Sequence, residues 1–186
     1  IMVSVKDGTI FNQETLEKVR YITNELEGLP GIDRYKILSI ASRKLKNTQI
    51  TSWGLEAVSL MYPEVPKNDS EMEVLKNAIF SSEAYYGFYV SLDSRKCLIF
   101  ADFFEEELDY NVVYSALEKI RSETETENIT VSIVGHPMHL GVVASMIRTV
   151  NLIMFGTAIV IPILLFLAYR SVWAMIMIPF SSVVSG

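Results

Sequence analysis

The chain has 186 residues, half of them hydrophobic, and a formal net charge of −6. Its excess of acids, without clustered Lys and Arg, excludes a nucleic-acid-binding protein, because contact with phosphates needs a basic face. A single cysteine, Cys97, excludes an intrachain disulfide and hence a small disulfide-stabilised secreted scaffold. Because Cys97 lies in an apolar run, we predict that it is a buried, inert side chain.

The first third of the sequence predicts a strand, a helix and a second strand. Residues Ile1–Val5 are rich in β-formers and are followed by a turn signal. From Asn12 to about Glu27 the apolar residues recur at helical spacing, with Asn12 as N-cap and Gly28 just past the end. The predicted buried stripe is Leu16, Val19, Ile22 (or Tyr21) and Leu26. The run Ile32–Ala41 again favours a strand.

The middle of the chain is predicted to contain an insertion and a hairpin. Residues of about 43–82 are irregular, with two nearby prolines, Pro63 and Pro66, and one short helix over Asp69–Phe80. The β-rich runs Tyr86–Leu92 and Lys96–Phe104 then flank a short polar turn, which predicts a β-hairpin.

The last elements of the first part are a helix and a strand. The helix is predicted over Asp109–Ser122 with a buried stripe, and the strand over Ile129–Val134. The stripe residues are Val112, Val113, Leu117 and Ile120. The resulting order predicts an α+β fold of the ferredoxin-like, split βαβ kind, with a mostly antiparallel sheet.

The C-terminal part has a membrane-spanning pattern. Leu152–Tyr169 is an uncharged run of about 18 residues, roughly 27 Å of helix, which approaches the thickness of the hydrocarbon core. A buried core helix is the alternative, but such helices keep a polar face, and here only Thr157 is polar before Tyr169. We therefore predict a transmembrane helix, kinked at Pro162.

The charges around this span predict its orientation. Arg170 is the only charge between the span and a further apolar stretch that starts at Val172, so the positive-inside rule places this turn in the cytoplasm. Residues 1–150 are then expected on the extracytoplasmic side of an inner membrane of bacterial or archaeal type. Because the chain begins without Met and stops at Gly186 within apolar sequence, we expect it to be an excerpt of a longer protein.

Two polar groupings are candidate sites. His136 and His139 could share a metal ion, but Pro137 is expected to break the helical geometry between them and no third His or Cys ligand accompanies them, so we predict no metal site. The acids Glu105–Glu107 with Asp109 are predicted to be a solvated helix entrance that favours the helix dipole.

An aromatic cluster precedes the predicted hairpin turn. If the segment is a strand, its side chains alternate between two faces, so one pair could line an apolar ligand path. A role in the core is the favoured alternative. The cluster comprises Tyr85, Tyr86, Phe88 and Tyr89.

Catalytic motifs do not occur in the sequence. It contains no nucleophile elbow, P-loop, dinucleotide fingerprint or zinc signature. We therefore predict no enzymatic activity, no catalytic residue and no cofactor.

The order of these elements and several short segments resemble the RND superfamily of exporters, in particular the MMPL-like predicted exporters. The segments follow one another at family-like spacing across most of the chain. They are the opening strand with Ile10–Leu16, Leu29–Ile32 leading to Ser39–Ser42, Val90–Asp93, Gly135–Pro137, and Phe155–Tyr169 with Arg170–Val172.

The resemblance implies a division of the chain. Residues 1–137 would be the first porter domain, 138–151 a helical link, 152–169 the second transmembrane helix and 172–186 the truncated start of the third. The family implies proton-driven export of lipids or other hydrophobic molecules, with relay carboxylates in a later helix, so no proton-relay residue is assigned here and the substrate-binding residues stay unassigned.

Several partners are implied in the same way. They are the bilayer, a hydrophobic or lipid-like substrate, and the remaining helices and second porter domain of the full-length protein; a homo-oligomer stays open. The alternative function is an extracytoplasmic sensor, assembly or protein-translocation accessory module anchored in the membrane. A version that ends near Met138 is predicted to be soluble and folded.

Overall fold

The computed structural model describes residues 1–104 and 108–170, in two compact units, Ile1–Gly141 and Val142–Gly186. Within the described residues the architecture is mixed α+β, with three small sheets and one long apolar helix. The elements in chain order are β1 (Met2–Val5), α1 (Gln13–Glu27), β2 (Ile32–Leu38), β3 (Lys46–Thr51), β4 (Gly54–Ser59), α2 (Asp69–Phe80), β5 (Lys96–Leu98), β6 (Phe100–Phe103), α3 (Tyr110–Thr124), β7 (Ile129–Ser132) and α4 (His136–Tyr169).

Helix α1 forms as its sequence predicts. The Asn12 side chain accepts a hydrogen bond from the Thr15 amide at 2.8 Å, which satisfies one of the free amides at the helix start. Gly28 ends the helix, and its amide donates to the carbonyls of the last turn. The buried stripe is confirmed, with Ile22 rather than Tyr21 facing the core; its members are Leu16, Val19, Ile22 and Leu26.

Helix α3 is confirmed with one correction to its stripe. Asp109 is the N-cap and accepts from the amides of Asn111 and Val112. Val112, which was predicted to be buried, is half-exposed, because the core face runs through positions 113, 117, 120 and 124 at steps of four, three and four. Thr124 completes this face, and its hydroxyl donates to the Ile120 carbonyl at 2.6 Å.

The sheets are antiparallel in every ladder between the described strands, as predicted. Strand β1 lies between β5 and β7, with Val3 opposite Cys97 on one side and Val131 on the other. Strand β2 pairs with β6. A single residue, Ile99, separates β5 from β6, so the two small sheets follow each other along one stretch of chain. Helices α1 and α3 pack on these strands and on each other.

The prediction of a strand over Tyr86–Leu92, the first arm of the hairpin, is wrong. Residues 86–92 form a compact turn, in which the Gly87 amide donates to the Val90 carbonyl and Gly87 adopts a φ of +91°. The positive φ and the local hydrogen bonds coil the chain where a strand would extend it. One antiparallel bridge, from Val90 to Cys97, is all that remains of the pairing. The second arm is confirmed as β5 and β6.

The predicted insertion is more regular than its sequence indicates. Helix α2 has the predicted bounds and is capped by the Asn68 side chain, which accepts from the Glu71 amide at 2.8 Å. The hairpin of β3 and β4 was not predicted. The sequence signals for it are Gly54, just after the two turn residues, and the β-branched Thr48 and Ile50 at alternate positions. In the structure Gly54 has a φ of +130°, which favours glycine.

Helix α4 contains both the predicted link 138–151 and the predicted span Leu152–Tyr169. It continues through Pro162 and ends before Arg170, which has a φ of +49°. By length and composition, His136–Ala168 could cross a membrane. The further helix predicted from Val172 lies outside the described residues.

Candidate functional site

The apolar part of α4 is the first candidate functional surface. The large hydrophobic side chains of its second half are exposed, among them Leu152, Phe155, Ile159 and Leu164. The hydroxyl of Thr157 donates to the Met154 carbonyl at 2.9 Å, so this polar group is satisfied within the helix. In hydrocarbon a polar side chain needs a partner within the helix, and the Thr157 hydroxyl has one. It contains no Asp or Glu.

The histidine pair lies in the first turn of α4. Pro137 does not interrupt the helix, contrary to the expectation, because a proline in the first turn removes an amide that would have no helical partner. The His136 ring contacts the Tyr110 ring of α3 edge to face, with 6.3 Å between centroids. Among residues 1–104 and 108–170 there is no group of three His, Cys, Asp or Glu side chains placed to hold a metal ion.

The acidic residues before α3 divide into two sets. Asp109 acts as the N-cap, so its predicted place at the helix entrance is confirmed. Glu105–Glu107 lie outside the described residues.

The aromatic residues belong to the packing of the domain. The alternation predicted for a strand is wrong, because residues 86–92 form a turn. Phe80 contacts Phe11 and Tyr86 edge to face, and Phe88 stacks on Phe100 with 5.4 Å between centroids.

Two tyrosine hydroxyls form hydrogen bonds to backbone carbonyls of other segments. Tyr86 donates to the Leu92 carbonyl and Tyr85 donates to the Lys46 carbonyl, each at 2.8 Å. Together with the burial of Tyr89, these contacts favour the core role over a ligand path.

Two apolar depressions lie in the first unit. The smaller, of about 60 Å³, is bordered by Leu26, Phe103 and Met138 and has room for about two water molecules. The larger, of about 310 Å³, lies between residues 60–66 and helix α2, and we call it the insertion groove. Its volume lies at the lower end of the range for ligand pockets.

The titratable groups with shifted pKa values lie on the surface or in the core. Burial raises the pKa of the Cys97 thiol to about 12, so the thiolate is scarce at neutral pH and Cys97 is a poor nucleophile. Hydrogen bonding to Glu123 at 2.5 Å, the largest cause, raises the pKa of Tyr21 to about 12. Lys36 and Asp102 form an exposed ion pair at 2.7 Å.

Comparison with known proteins identifies the family. The model of the MMPL family matches residues 45–185, which include the insertion, α3 and α4. No curated protein and no solved structure matches the chain. The family match covers far more than half of the sequence and runs from the α+β unit into the apolar helix. The chain therefore belongs to the MMPL family of RND-type, exporter-like membrane proteins.

Proposed function

We propose that the chain is part of a proton-driven exporter of lipids or other hydrophobic solutes. The observation that carries this proposal is the MMPL match, which continues without a break from the insertion into helix α4. The first unit acts as a porter domain that passes solute along by changing shape between access states. The apolar part of α4 anchors it next to the remaining helices of the full-length protein.

The strand neighbours support a ferredoxin-like porter fold. If β5 and β6 are one strand with a break at Ile99, the sheet order is β7-β1-β5/β6-β2. Every neighbour in that order is antiparallel, and α1 and α3 follow the first and third of these strands along the chain. This is the order expected for a split βαβ repeat.

The chemistry of α4 supports its proposed role as the second transmembrane helix. Proton relays use intramembrane carboxylates, and residues 142–170 contain none. We therefore place the relay in a later helix of the full-length protein. The described hydrophobic surfaces, the insertion groove and the apolar helix, contribute contacts to solute and lipid.

Transport is tested with the full-length protein in proteoliposomes. A fluorescent lipid placed in one leaflet should be moved when a proton gradient is applied, and a protonophore should abolish the movement. Transport that ignores the gradient would contradict proton coupling, and its complete absence would favour the accessory-module alternative. A reading frame without further transmembrane helices after Gly186 would do the same.

Sidedness is tested separately by cysteine labelling in intact cells. The native Cys97 is fully buried and does not compete for reagent. A membrane-impermeant maleimide should label Tyr35→Cys, whose position is 88% exposed in the first unit. The matched variant Arg170→Cys should be labelled only after permeabilisation. The reverse pattern would place the first unit in the cytoplasm.

A further inference from the structure

The insertion groove is a concave apolar surface that no described residue fills. It lies between residues 60–66 and one face of α2, and its volume is about 310 Å³. Its floor consists of the buried side chains of Met61, Val65 and Leu75. Val74 lies on its rim and is 58% exposed. An apolar floor with a few polar groups around it is typical of a small-molecule site.

Both walls of the groove are stiff. Pro63 and Pro66 lie in the wall formed by residues 60–66, and a proline ring holds φ at about −65°. The other wall is the start of α2, where the Asn68 side chain accepts a hydrogen bond from the Glu71 amide at 2.8 Å. A ligand therefore meets a preformed surface, and little ordering of the chain has to accompany binding.

The charged side chains that line the groove are both acids, Glu64 and Glu71. Glu64 forms an ion pair with Lys67. The ammonium of Lys67 approaches from outside the groove, because Lys67 lines the neighbouring depressions beside α1 and not this one. The Arg43 guanidinium is also outside the groove and lies over the Tyr62 ring, 4.3 Å from its centroid. Both cations are thus engaged, and the groove lining itself presents negative charge.

Glu71 is the carboxylate that remains without a cationic partner. Its two oxygens accept hydrogen bonds from the Lys67 backbone amide and from the Asn68 side-chain amide, each at 2.8 Å. Within residues 1–104 and 108–170, no lysine or arginine side chain forms an ion pair with it. Neutral donors satisfy the two oxygens but leave the negative charge in place.

We propose that the insertion groove binds a small organic ammonium ion with an apolar body. The apolar part of the ligand lies on Met61 and Leu75, and the ammonium lies beside Glu71. A carboxylate or phosphate ligand would face two like charges, and a neutral ligand would gain nothing from them. The contact of the groove with solute rests on the proposed function, whereas the preference for a cation rests on the groove alone.

The test measures how probes that share one aromatic ring protect a cysteine on the groove. The probes are benzylammonium, benzyl alcohol and benzoate, which are cationic, neutral and anionic at neutral pH. The full-length protein in lipid nanodiscs carries Val74→Cys, and the rate of its reaction with a membrane-impermeant maleimide is measured at rising probe concentration. The buried Cys97 gives no background. Tyr35→Cys, at an exposed position outside the groove, is the control.

Benzylammonium should slow the labelling of Val74→Cys and leave the labelling of Tyr35→Cys unchanged. Half-protection should need a roughly fivefold lower concentration of benzylammonium than of benzyl alcohol, which is the upper end of the effect of one exposed ion pair. Benzoate should protect least. Equal protection by the cation and the alcohol would overturn the proposal, and so would equal slowing at both cysteines or no protection by any probe.

A matched pair of acid substitutions tests whether Glu71 is the source of the preference. Glu71→Gln in the Val74→Cys background should abolish the difference between benzylammonium and benzyl alcohol, because the charge is lost. Glutamine at this third helical position still forms a capping box, so α2 should stay folded. Glu73→Gln should keep the difference, since Glu73 pairs with Lys76 at 2.8 Å and does not line the groove.

A preference for the cation that survives Glu71→Gln, or that is lost equally in Glu73→Gln, would also overturn the proposal. All of these measurements are made without a proton gradient. A negative result therefore rejects the ligand class at the groove, whereas the proteoliposome experiment decides separately whether the protein is a proton-driven exporter.

Discussion

The first unit and the apolar part of α4 contain the same kinds of side chain in opposite environments. In the first unit Leu16, Val19 and Ile22 are fully buried under the sheet. In α4 the comparable residues Leu152, Ile159 and Leu164 are exposed by half or more. The first unit excludes water with its own fold, whereas α4 needs a bilayer or a neighbouring helix to do so. The exposure of apolar side chains therefore distinguishes a region that folds in water from one that needs an apolar environment.

The largest expected effect comes from separating the two regions. A chain ending at Gly141 should be soluble without detergent and unfold cooperatively, whereas the 186-residue chain should aggregate without detergent. Gly141 is a better end point than Met138, because the first turns of α4 pack in the first unit and Met138 contacts its core. A thermal melt followed by circular dichroism measures this. A non-cooperative melt of residues 1–141 would show that the first unit needs the rest of α4.

A matched pair of leucine substitutions probes the same contrast. Leu16→Ala removes a fully buried side chain and should lower the free energy of unfolding by about 2–5 kcal/mol. Leu164→Ala, at a position 58% exposed, should change it by less than about 0.5 kcal/mol in detergent. Denaturant titration of the detergent-solubilised chain measures both. Equal losses would mean that Leu164 packs against the first unit or another copy.

Two glycines of α4 give a smaller effect. A Cβ added at Gly141 would lie 2.4 Å from the Tyr114 Cβ and 3.0 Å from the Tyr110 carbonyl oxygen. Gly141→Ala should therefore force α4 away from α3 and lower the free energy of unfolding by about 1–3 kcal/mol. Gly156→Ala is the control, because it meets no atom within 4 Å and alanine favours a helix. A Gly141→Ala midpoint equal to the wild-type value would contradict this close helix contact.

Much of this contrast could be predicted from sequence. A helix packed in a water-soluble domain has a periodic apolar stripe, and a helix suited to lipid is an uncharged apolar run. The features that were predicted correctly depend only on residues close by in the sequence. They are the buried stripe of α1, the N-caps Asn12 and Asp109, and the uncharged run from Leu152. The family, too, was recognised from the order of such segments, and the family match confirms it.

The predictions that were wrong or missing concern segments whose structure depends on contacts between residues distant in sequence, or on a positive φ angle. Gly87 turns a β-rich run into a compact turn, and the β3–β4 hairpin forms in a segment of low apparent order. Val112 and Val113 are both apolar, so the pattern admits either on the buried face, but the packing of α3 selects positions 113 and 117. The insertion groove could not be predicted, because it depends on how residues 60–66 lie against α2.

The smallest expected effect concerns the surface ion pair of Lys36 and Asp102. The hydrogen bond from Lys36 is the main cause that holds the pKa of Asp102 below 3.8, and the hydrogen bond to Asp102 is the main cause that raises the pKa of Lys36. A depressed carboxyl pKa stabilises the fold above the unfolded pKa and loses that contribution as pH falls through the folded pKa. The raised ammonium pKa stabilises the fold below about 10.4, its unfolded value, and that contribution is lost as pH rises through the folded value.

Asp102→Asn should therefore shift the denaturation midpoint of residues 1–141 slightly at neutral pH, and the difference should vanish in strong acid. Both side chains are more than half exposed, so salt should also reduce the difference. Asp33, whose carboxylate lies 3.7 Å from the same ammonium, remains as a partner and makes the loss smaller still. Measurements at neutral and acidic pH, each at low and high ionic strength, distinguish charge from packing. A shift that is equal under all four conditions would mean that the charge of Asp102 is not its cause, because the hydrogen bond that the Phe103 amide donates to Asp102 at 3.0 Å can also be accepted by an asparagine oxygen.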